Sequence, residues 1–276
     1  MSAAEEQRKA DYIHSVEEAL LEARASQALI AFSRMLYARV PTAELVGVSH
    51  EIRAKMAQSF FAFAEEKTST EPKLRVFNPS EDTHGWSSHH TIIEIVNSDG
   101  PFLVDSVVLA LNSLGVSAQL IIHPVMFVER DRKGRLMAVA HEASEQAKPE
   151  SLMHIAVDYQ RQHSQLDRIE KAIRAGLDEL HYAVRDWKPM VSAARKIASD
   201  LKQTHADMSP DQVEELSAFF NWLADDHFTF LGYREYVVED QGKDRVLKAI
   251  GESGLGIMHA ERREVPVRPL KDLARG

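Results

Sequence analysis

Cysteine is absent from the 276 residues. That excludes disulfides, thiolate metal sites and a cysteine nucleophile, and it fits a reducing, cytoplasmic compartment. No run of 18 apolar residues occurs either, so no transmembrane helix is expected. The N-terminus, MSAAEEQRKADY, is charged and lacks an apolar signal core, which argues against secretion. Positive charge is in deficit. Lys and Arg number 33 against 42 Asp and Glu, a net charge of −9, which argues against a non-specific nucleic-acid binder. There is no internal repeat, no low-complexity segment, and no G-x-S-x-G, H-E-x-x-H or phosphate-binding glycine loop. What remains is ordinary globular composition: 44% hydrophobic residues give a core of normal size.

The apolar spacing predicts the elements. Tyr12, Val16 and Leu20 share a helical face, and apolar residues continue from Ile30 to Leu36. Ser49 suits an N-cap, with Ile52, Met56, Phe60 and Phe63 on one face. The polar stretch EKTSTEPK (65–73) reads as a loop. HTIIEIV (90–96) is β-branched and reads as a buried strand. A helix is expected over 101–114, with Asp99 or Gly100 as cap, Pro101 in its first turn and Gly115 at its C-terminal stop. VSAQLIIHPVMFVER (116–130) reads as one strand with a bulge or edge at Pro124. DRKG (131–134) reads as a turn, RLMAVA as a strand, HEASEQAKPE (141–150) as a polar loop and LMHIAVDY (152–159) as a strand. Leu166, Ile169, Ile173, Leu177, Leu180 and Val184 mark a long amphipathic helix.

That order is most of a ferredoxin-like β-α-β-β-α-β sandwich, although no strand is evident directly after the second helix. A helix to about Gln203 follows. SPDQ, from Ser209, forms a capping box for another helix. HFTFLGYREYVVED (227–240) reads as a strand pairing with DRVLKAI (244–250). The tail RREVPVRPLKDLARG shows no closing element, so the native chain is expected to continue. The fold class is α+β. It comprises a helical segment (1–70), a ferredoxin-like antiparallel sheet with helices on one face (74–186), a helical connector (187–208) and the start of a second α+β unit (209–276).

Four stretches carry a resemblance: RVFNPSEDTHGWSSHHTIIEIVNSDGPFLVDSV (75–107), IIHPVMFVERDRKGRL (121–136), SLMHIAVD (151–158) and FFNWLADDHFTFLGYREY (219–236). Together they resemble the N-terminal region of the large bacterial NAD-specific glutamate dehydrogenases, from about Leu36 to about Ala260. The resemblance implies ACT-like modules, which often bind amino acids or mediate assembly. It also implies a catalytic domain further along a much longer chain, with NAD as the parent enzyme's cofactor and none in this region.

GESGLG (251–256) is the one glycine cluster, and no convincing helix follows it, so an ordinary loop is expected rather than a dinucleotide turn. No lysine lies in a Gly-rich catalytic context, so no catalytic residue is assigned. His84, His89 and His90 are the best metal candidates. Adjacent histidines on an extended chain diverge, so no metal is expected there. His123 and His154, inside strands, read as hydrogen-bonded core rings. The turn Asn97, Ser98, Asp99, Gly100, Phe102 and Leu103 has two readings. Its unpaired helix amides take an amino-acid carboxylate, or Asp99 caps them and the helix simply packs. The partners implied are the rest of its own longer chain, a homo-oligomer and a free amino-acid effector. Two rivals remain: a standalone amino-acid sensor and a purely structural oligomerisation module.

Overall fold

The computed structural model describes residues 2–69, 71–140, 142–203, 208–241, 244–259 and 268–269. The chain divides into two compact units, Met1–Leu177 and Asp178–Gly276.

The first unit opens with four helices: α1 (Ala3–Glu22), α2 (Gln27–Ala38), α3 (Thr42–Val46) and α4 (His50–Ala64). Serine side chains cap three of them. Ser2, Ser26 and Ser49 accept from Glu5, Leu29 and Ile52 amides, satisfying donors the helix leaves unpaired. Next come β1 (Lys73–Phe77), the single turn α5 (Glu81–His84), β2 (His90–Ser98) and α6 (Leu103–Ser113). Gly115 follows α6 at φ 70°, the left-handed stop expected of it. Four strands then follow, β3 (Ala118–Ile122), β4 (Val125–Arg130), β5 (Leu136–Ala140) and β6 (Ala147–Asp158), and the unit ends within α7 (His163–Arg185), whose residues from Asp178 belong to the second unit.

All six strands form one antiparallel sheet in the order β1-β2-β6-β4-β5, with β3 beside β4 on the same edge of β6. The stretch expected as a single strand over 116–130 is therefore two strands. They break at His123–Pro124 because proline has no N–H for the ladder, while its carbonyl accepts from the Leu152 amide at 3.1 Å. β6 also begins five residues earlier than expected, at Ala147. The polar residues there are strand because they pair with β4 in register, Glu129 opposite Ala147 and Val125 opposite Ser151.

The strand missing after the second helix is supplied from in front of the first. β1 runs antiparallel to β2, Leu74 opposite Ile95 and Phe77 opposite Ile92. It takes the place a fourth ferredoxin-like strand would occupy.

β2 and β6 are buried on both faces. On one face Ile92 packs with Met56 of α4 and with Trp86, and Val96, Ile122, Met126 and Leu152 join the core of α1–α4. Phe32 of α2 sets its edge against Phe60 and Phe61 of α4, with centroids 5.6 and 5.4 Å apart. The N-terminal helices and the sheet therefore share one core. On the other face lie the buried stripes of α6 (Leu103, Val107, Leu111) and α7 (Leu166, Ile169, Ile173). These two helices meet at Gly176, where a Cβ would stand 3.5 Å from the Ser106 carbonyl. Arg174 of α7 donates to the Leu74 carbonyl at 3.3 Å.

The second unit holds α8 (Trp187–Leu201) and α9 (Pro210–Trp222), the latter with the capping box at Ser209 and Gln212 in place. A π turn, Leu223–His227, follows α9. The stretch expected as one strand over 227–240 is interrupted: β7 is Gly232–Tyr233 and β8 is Tyr236–Gln241. β8 pairs with β9 (Asp244–Ala249) as expected, Tyr236 opposite Ala249. β10 (Leu255–Gly256) pairs with β7, and β11 (Arg268–Pro269) with β9. The rest of the tail from Glu261 lies outside the described residues. No helix among the described residues is long and apolar enough to cross a membrane.

Candidate functional site

The turn Asn97–Leu103 leaves the end of β2 and enters α6. Asn97 is half-buried opposite Ser151, and Ser98 is exposed opposite Glu150. The Asp99 amide donates to the Pro149 carbonyl at 3.1 Å, fixing where the chain leaves the sheet. Asp99, Gly100 and Phe102 are exposed, and Leu103 is buried.

The expected cap is not the one observed. Phe102 is the N-cap, at φ 62° and ψ 13°, and no side chain caps the first turn. Asp99 sits too early in the turn to serve, because the helix starts at Leu103 and not at Pro101. Phe102 itself lies in the left-handed region, a conformation that residues with a Cβ adopt rarely. Gly100 stands in open space, since a Cβ there would meet nothing within 4 Å.

The fold brings further polar groups to this end of the sheet. His123, at the break between β3 and β4, is joined to the buried Ser151 hydroxyl by a hydrogen bond of 2.5 Å. Burial pushes the His123 ring below its ordinary pKa, the Asp99 carboxylate opposes that, and the Arg39 guanidinium adds to it. Arg39 is the C-cap of α2. Arg39 and Ser151 were not singled out in the sequence. Nothing local marks them, and Ser151 becomes Asn97's neighbour only once the register of β2 on β6 is known.

His154 lies deeper. Its Nδ1 is 3.0 Å from Glu94 Oε1, within hydrogen-bonding distance. Arg75 donates to the other Glu94 oxygen at 2.7 Å and to Ser59 at 3.1 Å. This cluster is closed by Phe60 and Trp86 and forms part of the core. His84 is spent locally. It stacks on Phe77 at 4.5 Å, and its Nδ1 accepts from the Ser80 amide. No group of three or more His, Asp or Glu able to hold a metal occurs among the described residues.

In the glycine cluster 251–256, Gly254 and Gly256 are packed closely by backbone, whereas Gly251 stands in open space. The Gly256 amide donates to the Asp186 carboxylate at 2.8 Å, and a Cβ on Gly256 would stand 2.2 Å from the Leu231 carbonyl. Arg185 pairs with Asp186, and together with the Gly256 amide it holds that carboxyl below its ordinary pKa. A side-chain carboxylate thus occupies the amide that a phosphate would need.

Residues 32–173 match the family model described as the ACT1 domain of glutamate dehydrogenase. The chain belongs to this family. It is 35% identical over 277 aligned positions to an NAD-specific glutamate dehydrogenase of Halomonas elongata, covering 98% of this chain and 17% of the relative. Against the enzyme of the same name in Pseudomonas aeruginosa it is 32% identical over 238 positions, covering 84% and 15%. Against that of Mycobacterium tuberculosis it is 26% identical over 171 positions, covering 60% and 10%. The chain therefore spans less than a fifth of the length of these relatives. The matched region takes in the whole sheet, the turn 97–103, α3 to α6, and parts of α2 and α7, while α1 lies outside it.

Proposed function

We propose that this chain is the N-terminal, non-catalytic region of an NAD-dependent glutamate dehydrogenase and serves regulation or assembly of the parent enzyme. The parent reaction is oxidation of L-glutamate by NAD+ with water, giving 2-oxoglutarate, ammonium and NADH. NAD then belongs to the parent enzyme. The partners are the rest of its own longer chain and a second copy of the module, and the compartment is the cytoplasm. One observation carries the reading: almost the whole chain aligns with a small part of enzymes bearing that name, through a module described as their ACT1 domain. Two features of the second unit agree with a non-catalytic role, the Gly256 amide engaged by Asp186 and the tight backbone packing at Gly254 and Gly256.

Within this reading, Asn97–Leu103 takes a free amino acid by its carboxylate. The amides at the start of α6 have no side-chain cap, and the helix dipole favours an anion there. The left-handed Phe102 is the kind of local strain found at ligand sites. Asp105 already puts one carboxylate in the first turn, so the affinity is modest.

The test is calorimetric titration of the 276-residue chain with the twenty amino acids and 2-oxoglutarate, repeated on Gly100→Val. Binding that the variant abolishes supports the effector reading. If no ligand binds below millimolar concentration, the assembly reading stands in its place. The outer edge of β3, unpaired among the described strands, favours that alternative. Glutamate-dependent NAD+ reduction that scales with pure protein would overturn the non-catalytic assignment.

A further inference from the structure

The π turn ending α9 contains two consecutive non-helical residues. Asp225 has φ −99° and ψ 51°, and Asp226 lies in the left-handed region at φ 59°. Such a conformation persists where its surroundings over-determine it. Arg195 of α8 does this, donating to Asp225 Oδ1 at 3.1 Å and to the Ala224 carbonyl at 3.5 Å. Turn and helix together line an open groove of about 480 Å³, within the size range of small-molecule sites.

The charges on this groove are not all matched. Arg195 and Asp225 form an ion pair. The Lys188 ammonium and the Asp226 carboxylate line the same groove, and neither has an ion-pair or hydrogen-bond partner among the described residues. A simple anion entering here would meet Asp225 and Asp226, and a simple cation would meet Lys188 and Arg195. A molecule carrying both charges meets an unmatched partner at each end. Trp187, 43% exposed, and Val191 add apolar surface to the same groove.

We propose that this groove binds a small zwitterion, an α-amino acid with an apolar or aromatic side chain. Its carboxylate pairs with Lys188, its ammonium with Asp226, and its side chain lies on Trp187. Every residue involved belongs to Asp178–Gly276, so the proposal stands apart from the reading of Asn97–Leu103.

Exposed ion pairs are individually weak, so the expected affinity is on the order of millimolar. The probe is L-phenylalanine, titrated into the 15N-labelled 276-residue chain while the Trp187 indole N–H signal is followed, that signal being assigned by its loss in Trp187→Phe. N-acetyl-L-phenylalanine and L-phenylalaninamide each lack one charge, and each should bind about fivefold more weakly. Lys188→Met and Asp226→Asn should each weaken L-phenylalanine by about the same factor. Asparagine tolerates the left-handed backbone, so the second variant keeps the turn. Gly100→Val should leave this binding unchanged. The proposal is overturned if Trp187 does not respond at tens of millimolar. It is also overturned if either capped analogue binds as well as the free amino acid, or if both charge variants bind like wild type.

Discussion

Glu94 and His154 face each other across β2 and β6, with side chains 0% and 3% exposed and their polar atoms 3.0 Å apart. Arg75 extends this pair to β1, and its guanidinium reaches the Ser59 carbonyl and hydroxyl in α4. One polar chain thus crosses three strands and ends on a helix that covers the sheet. Phe63 and Phe77 lie against the Arg75 guanidinium, with centroids at 4.6 and 4.4 Å, so the charge is flanked by two aromatic rings.

Removing the central carboxylate should therefore be costly. Glu94→Ala leaves the Arg75 guanidinium and the His154 ring without their partner, and breaking a buried pair in this way costs roughly 3–5 kcal/mol. Arg75 is 25% exposed, so water recovers part of the loss and the lower end is expected. Glu94→Gln keeps an acceptor oxygen and should lose less. Urea unfolding of the three proteins at pH 7 measures both differences. An alanine variant as stable as wild type would show that the chain contributes nothing net.

The two histidines with depressed pKa values set a pH dependence. Burial is the leading cause for both His84 and His123, lowering each from 6.5. The folded state then binds fewer protons than the unfolded state in the acid range. The stability they contribute is present above pH 6.5 and is lost as pH falls through their folded values. Unfolding free energy should decline from pH 7.5 to 5, and His123→Gln should make the decline shallower. An unchanged slope in that variant would rule out His123 as a contributor.

Much of this fold is legible in the sequence. HTIIEIV is apolar enough to be read as a buried strand, and the stripe from Leu166 to Leu177 declares α7 by its period. β1 is not legible, because KLRVF is short and its Arg75 makes sense only beside Glu94. Pro124 predicts a disturbance, but not that both flanking pieces would stay on β6. The left-handed residue in the turn was the least accessible feature. Glycine at 100 invites that assignment, whereas the backbone places it on Phe102, an aromatic with no intrinsic preference for it. The grouping of Asn97 with His123, Ser151 and Arg39 depends on register and on α2, neither of which has a local signature.

Gly134 and Gly100 make a direct contrast. Gly134 ends the Asp131 turn at φ 80°, and a Cβ there would stand 2.3 Å from the Lys67 carbonyl. Gly134→Ala must strain the backbone and displace the 65–69 segment, at a cost of roughly 1–3 kcal/mol or more. Gly100→Ala meets no atom within 4 Å and should change stability by less than about 0.5 kcal/mol. Thermal melts of the two single variants give the comparison. Equal losses would mean that the turn at Gly100 is more constrained than its open surroundings imply.

A sheet covered on both faces predicts what happens when one cover is removed. Residues 74–186 contain every strand of the sheet except Lys73, together with α6 and α7, and look like a self-sufficient module. They leave out α1–α4, which bury Val96, Ile122, Met126 and Leu152 on the opposite face. Burying a large apolar side chain is worth roughly 1.5–3 kcal/mol, so these four account for roughly 6–12 kcal/mol. That is comparable to the whole stability of a typical domain, about 5–15 kcal/mol. The truncation also takes away Ser59 from Arg75, and it removes the Ala64 and Glu65 carbonyls that Arg130 caps at 3.1 and 3.2 Å. The 74–186 piece should therefore keep far-ultraviolet helical signal, bind a hydrophobic dye and melt without a sharp transition. A piece comprising residues 1–185 should melt cooperatively. A dispersed proton spectrum and a sharp melt from 74–186 alone would mean that the helical layer is dispensable, and that the sheet's second face is stable in water.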